Sequence, residues 1–216
     1  MNVDLHTHTR PASDCSRISR GDYIAWCVEH GVEAVALTNH GDLSDNLALG
    51  PALAAEGVLL VHGVEISTLF GDFVVFSPDL DFLSTFAAVQ NAPQAGDLPE
   101  DAALVWVHPA AGGGRSGSAY YPGLERLVAG VIDAVEVYNG SWLDEHYVNA
   151  AEQIAARLGA ARTGGSDAHV AGQLMVCYTE LPDPVRSTAD VVAALKQRRT
   201  VPHRPEARRK RRFGLF

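Results

Sequence analysis

EAVALTNHGDLSDNLALGPALAAEGVLLVHGVEI, residues 33–66, reads as a short apolar strand, a helical stretch and a second strand. Alternation of this kind implies β/α units and a parallel sheet. Outward toward the N-terminus it continues with the strand VDLH (3–6) and the helix YIAWCVEHG (23–31). Toward the C-terminus come GDFVVFS (71–77), a mixed segment around DFLSTFAAVQ (81–90), the strand ALVWVH (103–108), the helix PGLERLVAG (122–130) and the strand IDAVEVYN (132–139). A long helix, LDEHYVNAAEQIAARLG (143–159), leads to the strand AARTGGSD (160–167) and the extended QLMVCYTEL (173–181). Ser187 then starts a last helix, with Asp190 three residues on in a capping-box arrangement and Val191, Val192 and Leu195 on its apolar face. There is no internal repeat, and PQAGDLP (93–99) and GGGRSGSAYYPG (112–123) read as loops.

Polar residues fall at one kind of place in this pattern. His6 and His8 close the first strand, Asn39 and His40 the second, Glu65 the third and His108 the strand ALVWVH. Glu136 and Asn139 end IDAVEVYN, and Asp167 and His169 follow AARTGG. In VDLHTHT, Asp4, His6 and His8 alternate with Val3, Leu5 and Thr7, so the two histidines share a side and can chelate a metal. A lone His-x-His reads more readily as a polar strand edge with two hydrogen-bonded histidines; the repeated placement at carboxyl ends is what points to a site. In a parallel β/α barrel the carboxyl ends of the strands converge on the active-site face.

With 216 residues, 47% of them hydrophobic and 20% charged, one globular domain is expected. No apolar run approaches a membrane span, and MNVDLHTHTR lacks the basic-then-apolar order of a signal peptide, so a cytoplasmic location is expected. Cys15, Cys27 and Cys177 are odd in number and far apart, which fits reduced thiols. The net charge of −9 hides an asymmetry. Residues 198–212, RRTVPHRPEARRKRR, hold eight of the 17 Lys and Arg residues, leaving a body with a net charge of −16. The organisation expected is therefore a domain over 1–197 and an Arg-rich tail over 198–216. Such a tail is either solvated or a grip for nucleic acid or a phosphorylated ligand.

The stretches DLHTHT with Ser13 and Asp14, TNH (38–40), GVEIS (63–67), VHP (107–109), EVYN (136–139) and GSDAH (165–169) stand in the order found in the PHP (polymerase and histidinol phosphatase) family of metal-dependent phosphoesterases, and the chain resembles that family. The resemblance spans about three-quarters of the chain. It implies a distorted seven-stranded β/α barrel holding two or three divalent metals. By the same resemblance His6, His8, Glu65 and Asp167 surround one metal, Glu65 bridges to a second shared with His108, and Asp14, His40 and His169 hold a third. Imidazole with carboxylate suits Zn, Mn or Fe, and no ligand is a thiolate. The chain departs from the family pattern twice. Asn39 stands where relatives have Asp, with Asp42 beyond it, and GDFVVFS lacks the histidine that relatives usually place after the bridging glutamate. His62 lies three residues from Glu65, faces the other side of a regular strand and reads as a core histidine.

The implied reaction is hydrolysis of a phosphomonoester or nucleotide-like phosphate ester, with Glu65 and Asp167 as catalytic metal ligands. Arg115 is a candidate for gripping phosphate in a bidentate fashion. Arg10 is a second candidate cation, and His203 and Arg204 reach the cleft only if the tail folds back. His30 and His146 read as solvent-facing, Glu136 and Asn139 as orienting groups. The expected substrate is a phosphorylated small molecule or an oligonucleotide end, with nucleic-acid contact through the tail as a further expectation. Gly112, Gly114 and Gly117 formally satisfy G-x-G-x-x-G, but Pro122 interrupts the helix that should follow. Cys15 and Ser166 lack the flanking signature of a nucleophile. Amidohydrolase barrels also begin with His-x-His, yet often bridge their metals with a modified mid-barrel lysine; here the only lysines are Lys196 and Lys210. A degenerate barrel serving as a nucleic-acid-binding or regulatory module is the non-enzymatic alternative.

Overall fold

The computed structural model describes residues 1–68, 71–89, 91, 93, 94, 96–111, 124–182 and 185–205. Nine strands among these form one sheet: β1 (Asn2–Asp4), β2 (Ala34–Leu37), β3 (Leu59–Thr68), β4 (Gly71–Phe76), β5 (Ala103–Trp106), β6 (Ala134–Asn139), β7 (Ala161–Gly165), β8 (Tyr178–Glu180) and β9 (Val201–His203). Their order is β7-β6-β5-β4-β3-β2-β1-β8-β9. The sheet curls into a nearly closed barrel: the Asp167 N–H donates to the His6 carbonyl at 2.8 Å, the His8 N–H to the Ala168 carbonyl at 3.2 Å, and Thr200 Oγ1 to the Arg162 carbonyl. The α/β barrel class is the expected one, with nine strands rather than seven.

The sheet is not wholly parallel. β1, β2 and β3 pair in parallel, as do β5, β6 and β7, but β4 is antiparallel to both of its neighbours. A parallel return needs a crossover of a dozen or more residues, and Thr68 and Gly71 are too close in the chain for one. β8 and β9 are antiparallel additions, and β9 carries the sheet past the expected boundary at 197. His203 pairs with Glu180 at 2.8 Å and stacks on Tyr178, while Arg204 pairs with Glu145 at 3.1 Å and lies over the Tyr138 ring. Both are engaged on the sheet rather than in a cleft. The Arg208–Arg212 run lies outside the described residues.

Six helices complete the described chain: α1 (Arg20–Glu29), α2 (Ser44–Ala55), α3 (Leu80–Phe86), α4 (Leu124–Val128), α5 (Glu145–Leu158) and α6 (Thr188–Lys196). Their ends follow local chemistry. Asp144 caps α5 by accepting from the His146 and Tyr147 N–H groups, and Gly159, at φ 59°, stops it in the left-handed region. The Ser187 hydroxyl accepts from the Asp190 N–H at the start of α6. Val191, Val192 and Leu195 of α6 pack with Val3, Val61 and Val105 in a core shared by β1 to β7. Helices α1 and α2 cover β2 and β3, and α3 and α5 cover β3 to β6. Among the described residues no helix is long and apolar enough to cross a membrane.

Candidate metal centre

One cleft of about 730 Å³ opens at the barrel rim, and Asp14, His40, Glu65, His108, Asp167 and His169 line it. Backbone bonds set these residues side by side. The Glu65 N–H donates to the Asn39 carbonyl and the Gly41 N–H to the Glu65 carbonyl, which locks His40 beside Glu65. Asp167 is fixed against His6 by the seam bond already described. His108 and Asp167 both hold positive φ, 31° and 52°, a conformation costing of order 1–3 kcal/mol that persists only where surroundings over-determine it.

Glu65 is the centre of the constellation. Its Oε2 lies 3.3 Å from His6 Nε2, 3.3 Å from His8 Nε2 and 3.0 Å from His40 Nδ1, and its Oε1 lies 3.2 Å from His108 Nε2. His8 Nε2 is also 3.3 Å from Asp167 Oδ1. Three groups have ligand atoms within 4.8 Å of one another: His6, His8 and Asp167; His6, Glu65 and His108; and His8, His40 and His169. His6 Nε2, both ring nitrogens of His8 and Glu65 Oε2 are buried with no hydrogen-bond partner. Buried polar atoms of native proteins are nearly always satisfied, and His6 Nε2, His8 Nε2 and Glu65 Oε2 lie close together as possible lone-pair donors. A set of imidazoles and carboxylates in that state fits divalent cations.

The electrostatics follow from crowding opposite charges away from water. Burial pushes the His8 imidazole down to about 4, against the pull of Asp167 and Glu65. Burial acts in the same direction on His6, but Glu136, Glu65 and Asp167 outweigh it and hold that imidazole well above its usual range. His108 is likewise opposed by burial and raised by Glu65, to about 9. Burial would raise both carboxyls, yet His6, His108 and His40 hold Glu65 well below the usual carboxylate range, and His6 and His8 do so for Asp167.

The expected residues divide accordingly. His6, His8, His40, Glu65, His108, Asp167 and His169 meet around the cleft, with His8 joining His40 and His169 in the third group. Asp14 is exposed on the cleft wall, outside that group. Arg115 lies outside the described residues, and Arg10 is exposed and absent from the cleft lining. Among the described lining residues there is no lysine or arginine. Asn39 is no ligand. Buried, it accepts from the Thr9 N–H and the Ser13 hydroxyl and donates to Thr9 Oγ1, while Ser13 Oγ accepts from the His40 N–H. His62 sits beneath α2 and α6, its N–H donating to Thr188 Oγ1. Ser166 Oγ donates to the His6 carbonyl, and Cys15 is exposed at the cleft.

Two carboxylates escaped the sequence reading. Asp72 lines the cleft, buried, 3.7 Å from His108 Nδ1. Asp4 is fully buried and accepts from the Ser166, Met175 and His6 N–H groups, tying the His-x-His segment to the loop after β7. Burial raises its carboxyl to about 6 despite those donors. A signal existed for each: Asp4 continues the same-side run of His6 and His8, and Asp72 is the lone acidic residue of GDFVVFS.

A family described as PHP-associated matches residues 146–200. A two-domain protein from Bacteroides vulgatus containing a predicted PHP-like metal-dependent phosphoesterase superposes with a TM-score of 0.68 at 20% identity, over 94% of this chain and 64% of that one. The chain shares the fold of that PHP-like protein. PsfC from Pseudomonas syringae PB-5123 shares the fold with a TM-score of 0.66 at 21% identity, over 95% and 91% of the two chains. An amidohydrolase from Chromobacterium violaceum, with bound sulfate and no metal, does so with a TM-score of 0.61 at 19% identity, over 93% and 98%. At these identities the likeness is one of fold. No curated protein matches the sequence.

Proposed function

We propose that this barrel is a PHP-type metal-dependent phosphoesterase acting on a phosphomonoester or a nucleotide-like phosphate ester. The observation that carries the reading is the convergence of His6, His8, His40, Glu65, His108 and Asp167 on one cleft, with buried atoms of His6, His8 and Glu65 that no hydrogen bond satisfies. Bound there, divalent cations would neutralise phosphoryl oxygens and lower the pKa of water so that hydroxide exists near neutral pH. Glu65 presents its two oxygens to different partners, Oε1 to His108 and Oε2 to His6, His8 and His40, which suits a bridging carboxylate. Asp167 joins the histidine pair from the opposite side of the seam. A phosphate entering the cleft meets no lysine or arginine among the described lining residues, so its charge falls to the bound cations, with Arg115 the proposed further partner. Zn, Mn and Fe are the proposed metals, two or three per chain.

The amidohydrolase reading has less support. Lys196, paired with Asp133 at 3.8 Å on α6, is remote from the cleft, so no described lysine could bridge metals. Cys15, Cys27 and Cys177 form no disulfide, and a cytoplasmic location is part of the same proposal. The test is a panel of phosphorylated metabolites and short 5'-phosphorylated oligonucleotides with Mn- or Zn-loaded protein. Phosphate release is expected, falling at least a hundredfold in His8→Ala. Amide hydrolysis without phosphate release would replace the reading. Metal uptake with neither activity would leave the barrel as a binding module.

A further inference from the structure

Behind the ligands stands a carboxylate that touches two of them from two different strands. Glu136 Oε1 lies 3.0 Å from His6 Nδ1, on the side of the ring away from Glu65. Its Oε2 accepts from the His108 backbone N–H at 3.0 Å and from Asn139 Nδ2 at 2.8 Å. Asn139 Oδ1 in turn accepts from the Ser141 N–H, which fixes its amide with the nitrogen toward Glu136. The approach depends on Gly165: a Cβ there would lie 2.5 Å from Glu136 Oε1 and 2.5 Å from His6 Cβ.

We infer that Glu136 is a positioning residue for the metal centre, fixing which nitrogen of His6 faces the cation while holding His108 at its left-handed turn. The inference rests on the reading of the cleft as a metal site. A neutral imidazole carries one proton, and a carboxylate at Nδ1 keeps it there, leaving the Nε2 lone pair for a cation and making it more basic. A glutamine at 136 would reverse this. Two donors converge on the Oε2 position, so the amide oxygen settles there and its NH₂ faces His6. Nδ1 must then accept, the proton moves to Nε2, and the lone pair that would bind metal is lost.

The test uses zinc alone. Chelator competition is expected to show zinc affinity in Glu136→Gln lowered ten- to a hundredfold, the usual effect of removing a carboxylate behind a ligand histidine. Nitrogen-15 spectra of the zinc-loaded wild type are expected to show an exchange-protected Nδ1–H on His6 that Glu136→Gln loses. Glu136→Asp, which keeps the carboxylate on a shorter arm, is expected to recover part of the affinity. Zinc binding by Glu136→Gln within twofold of wild type, with the Nδ1–H retained, overturns the inference. So does Glu136→Asp binding no better than Glu136→Gln when both give the wild-type circular dichroism. A wild type that takes up no zinc would instead overturn the metal reading on which it rests.

Discussion

Glu65 and His108 show how one contact sets the pH behaviour of the whole centre. His108 faces Glu65 through Nε2 and Asp72 through Nδ1, with His6 and Glu136 close by. Its pKa of about 9 lies above the ordinary 6.5. A raised histidine gives stability that is complete below the unfolded value and lost as pH climbs through the folded one. The metal-free protein should therefore lose stability between pH 6.5 and 9. A cation competes with that same proton, and with the one on His6, which is also raised, so zinc affinity should rise over the window by up to about tenfold per pH unit for each proton displaced. His8, at about 4, is already neutral there and adds nothing. Chelator competition at pH 6.5, 7.5 and 8.5 measures the slope, and a flat profile would sink the assignment of His108 as a ligand. Asn39 makes the complementary point. Thr9 Oγ1 donates to Asp45, so it can only accept from residue 39, and an amide supplies the donor that a carboxylate lacks. Its departure from the family pattern is thus accounted for by the loop it holds.

At the scale of elements, what was legible was polarity at strand ends. An imidazole or carboxylate closing an apolar strand is conspicuous, and His6, His40, Glu65, His108 and Asp167 were visible for that reason. Asp72 was hidden by strand direction. β4 runs antiparallel, so its first residues lie at the rim where β3 finishes, and a rule about carboxyl ends passes over them. Asp14 lines the cleft but stands outside the three ligand groups, since a loop's course is not written in its spacing. The β6–β7 pair gives an element-level prediction. The Gly140 N–H donates to the Gly165 carbonyl, and a Cβ on Gly140 would lie only 2.3 Å from the Ser166 carbonyl oxygen. Gly140→Ala must push the loop that carries Asp167 and His169, at a cost of about 1–3 kcal/mol for overpacking. Urea unfolding should show that loss, and zinc affinity should fall with it. Gly172→Ala, which meets nothing within 4 Å, should stay within about 0.5 kcal/mol of wild type. Equal effects of the two substitutions would refute the steric argument.

For the whole molecule the site and the closure of the barrel are one structure. β1 meets the end of β7 through the Asp167–His6 and His8–Ala168 backbone bonds and the Thr7–Ala168 bridge. The strands themselves sit apart in the sheet order, at positions separated by every strand from β2 to β6. The candidate ligands stand on both sides of this seam, His6 and His8 on one, Asp167 and His169 on the other. A cation held by His6, His8 and Asp167 therefore ties the segment after β1 to the segment after β7. Binding to the folded state alone stabilises by about 2.7 kcal/mol at a hundred times Kd, which for a chain of this size raises Tm by roughly 5–10 °C. Chelator should reverse the gain. The location is the sharper test. Hydrogen exchange at the His8 and Asp167 amides should slow on zinc loading far more than at the Leu181 amide, which bonds the Met1 carbonyl at 2.8 Å elsewhere in the sheet. Protection spread evenly over the sheet, with no excess at the seam, would show that metal acts on stability without bridging the two strands.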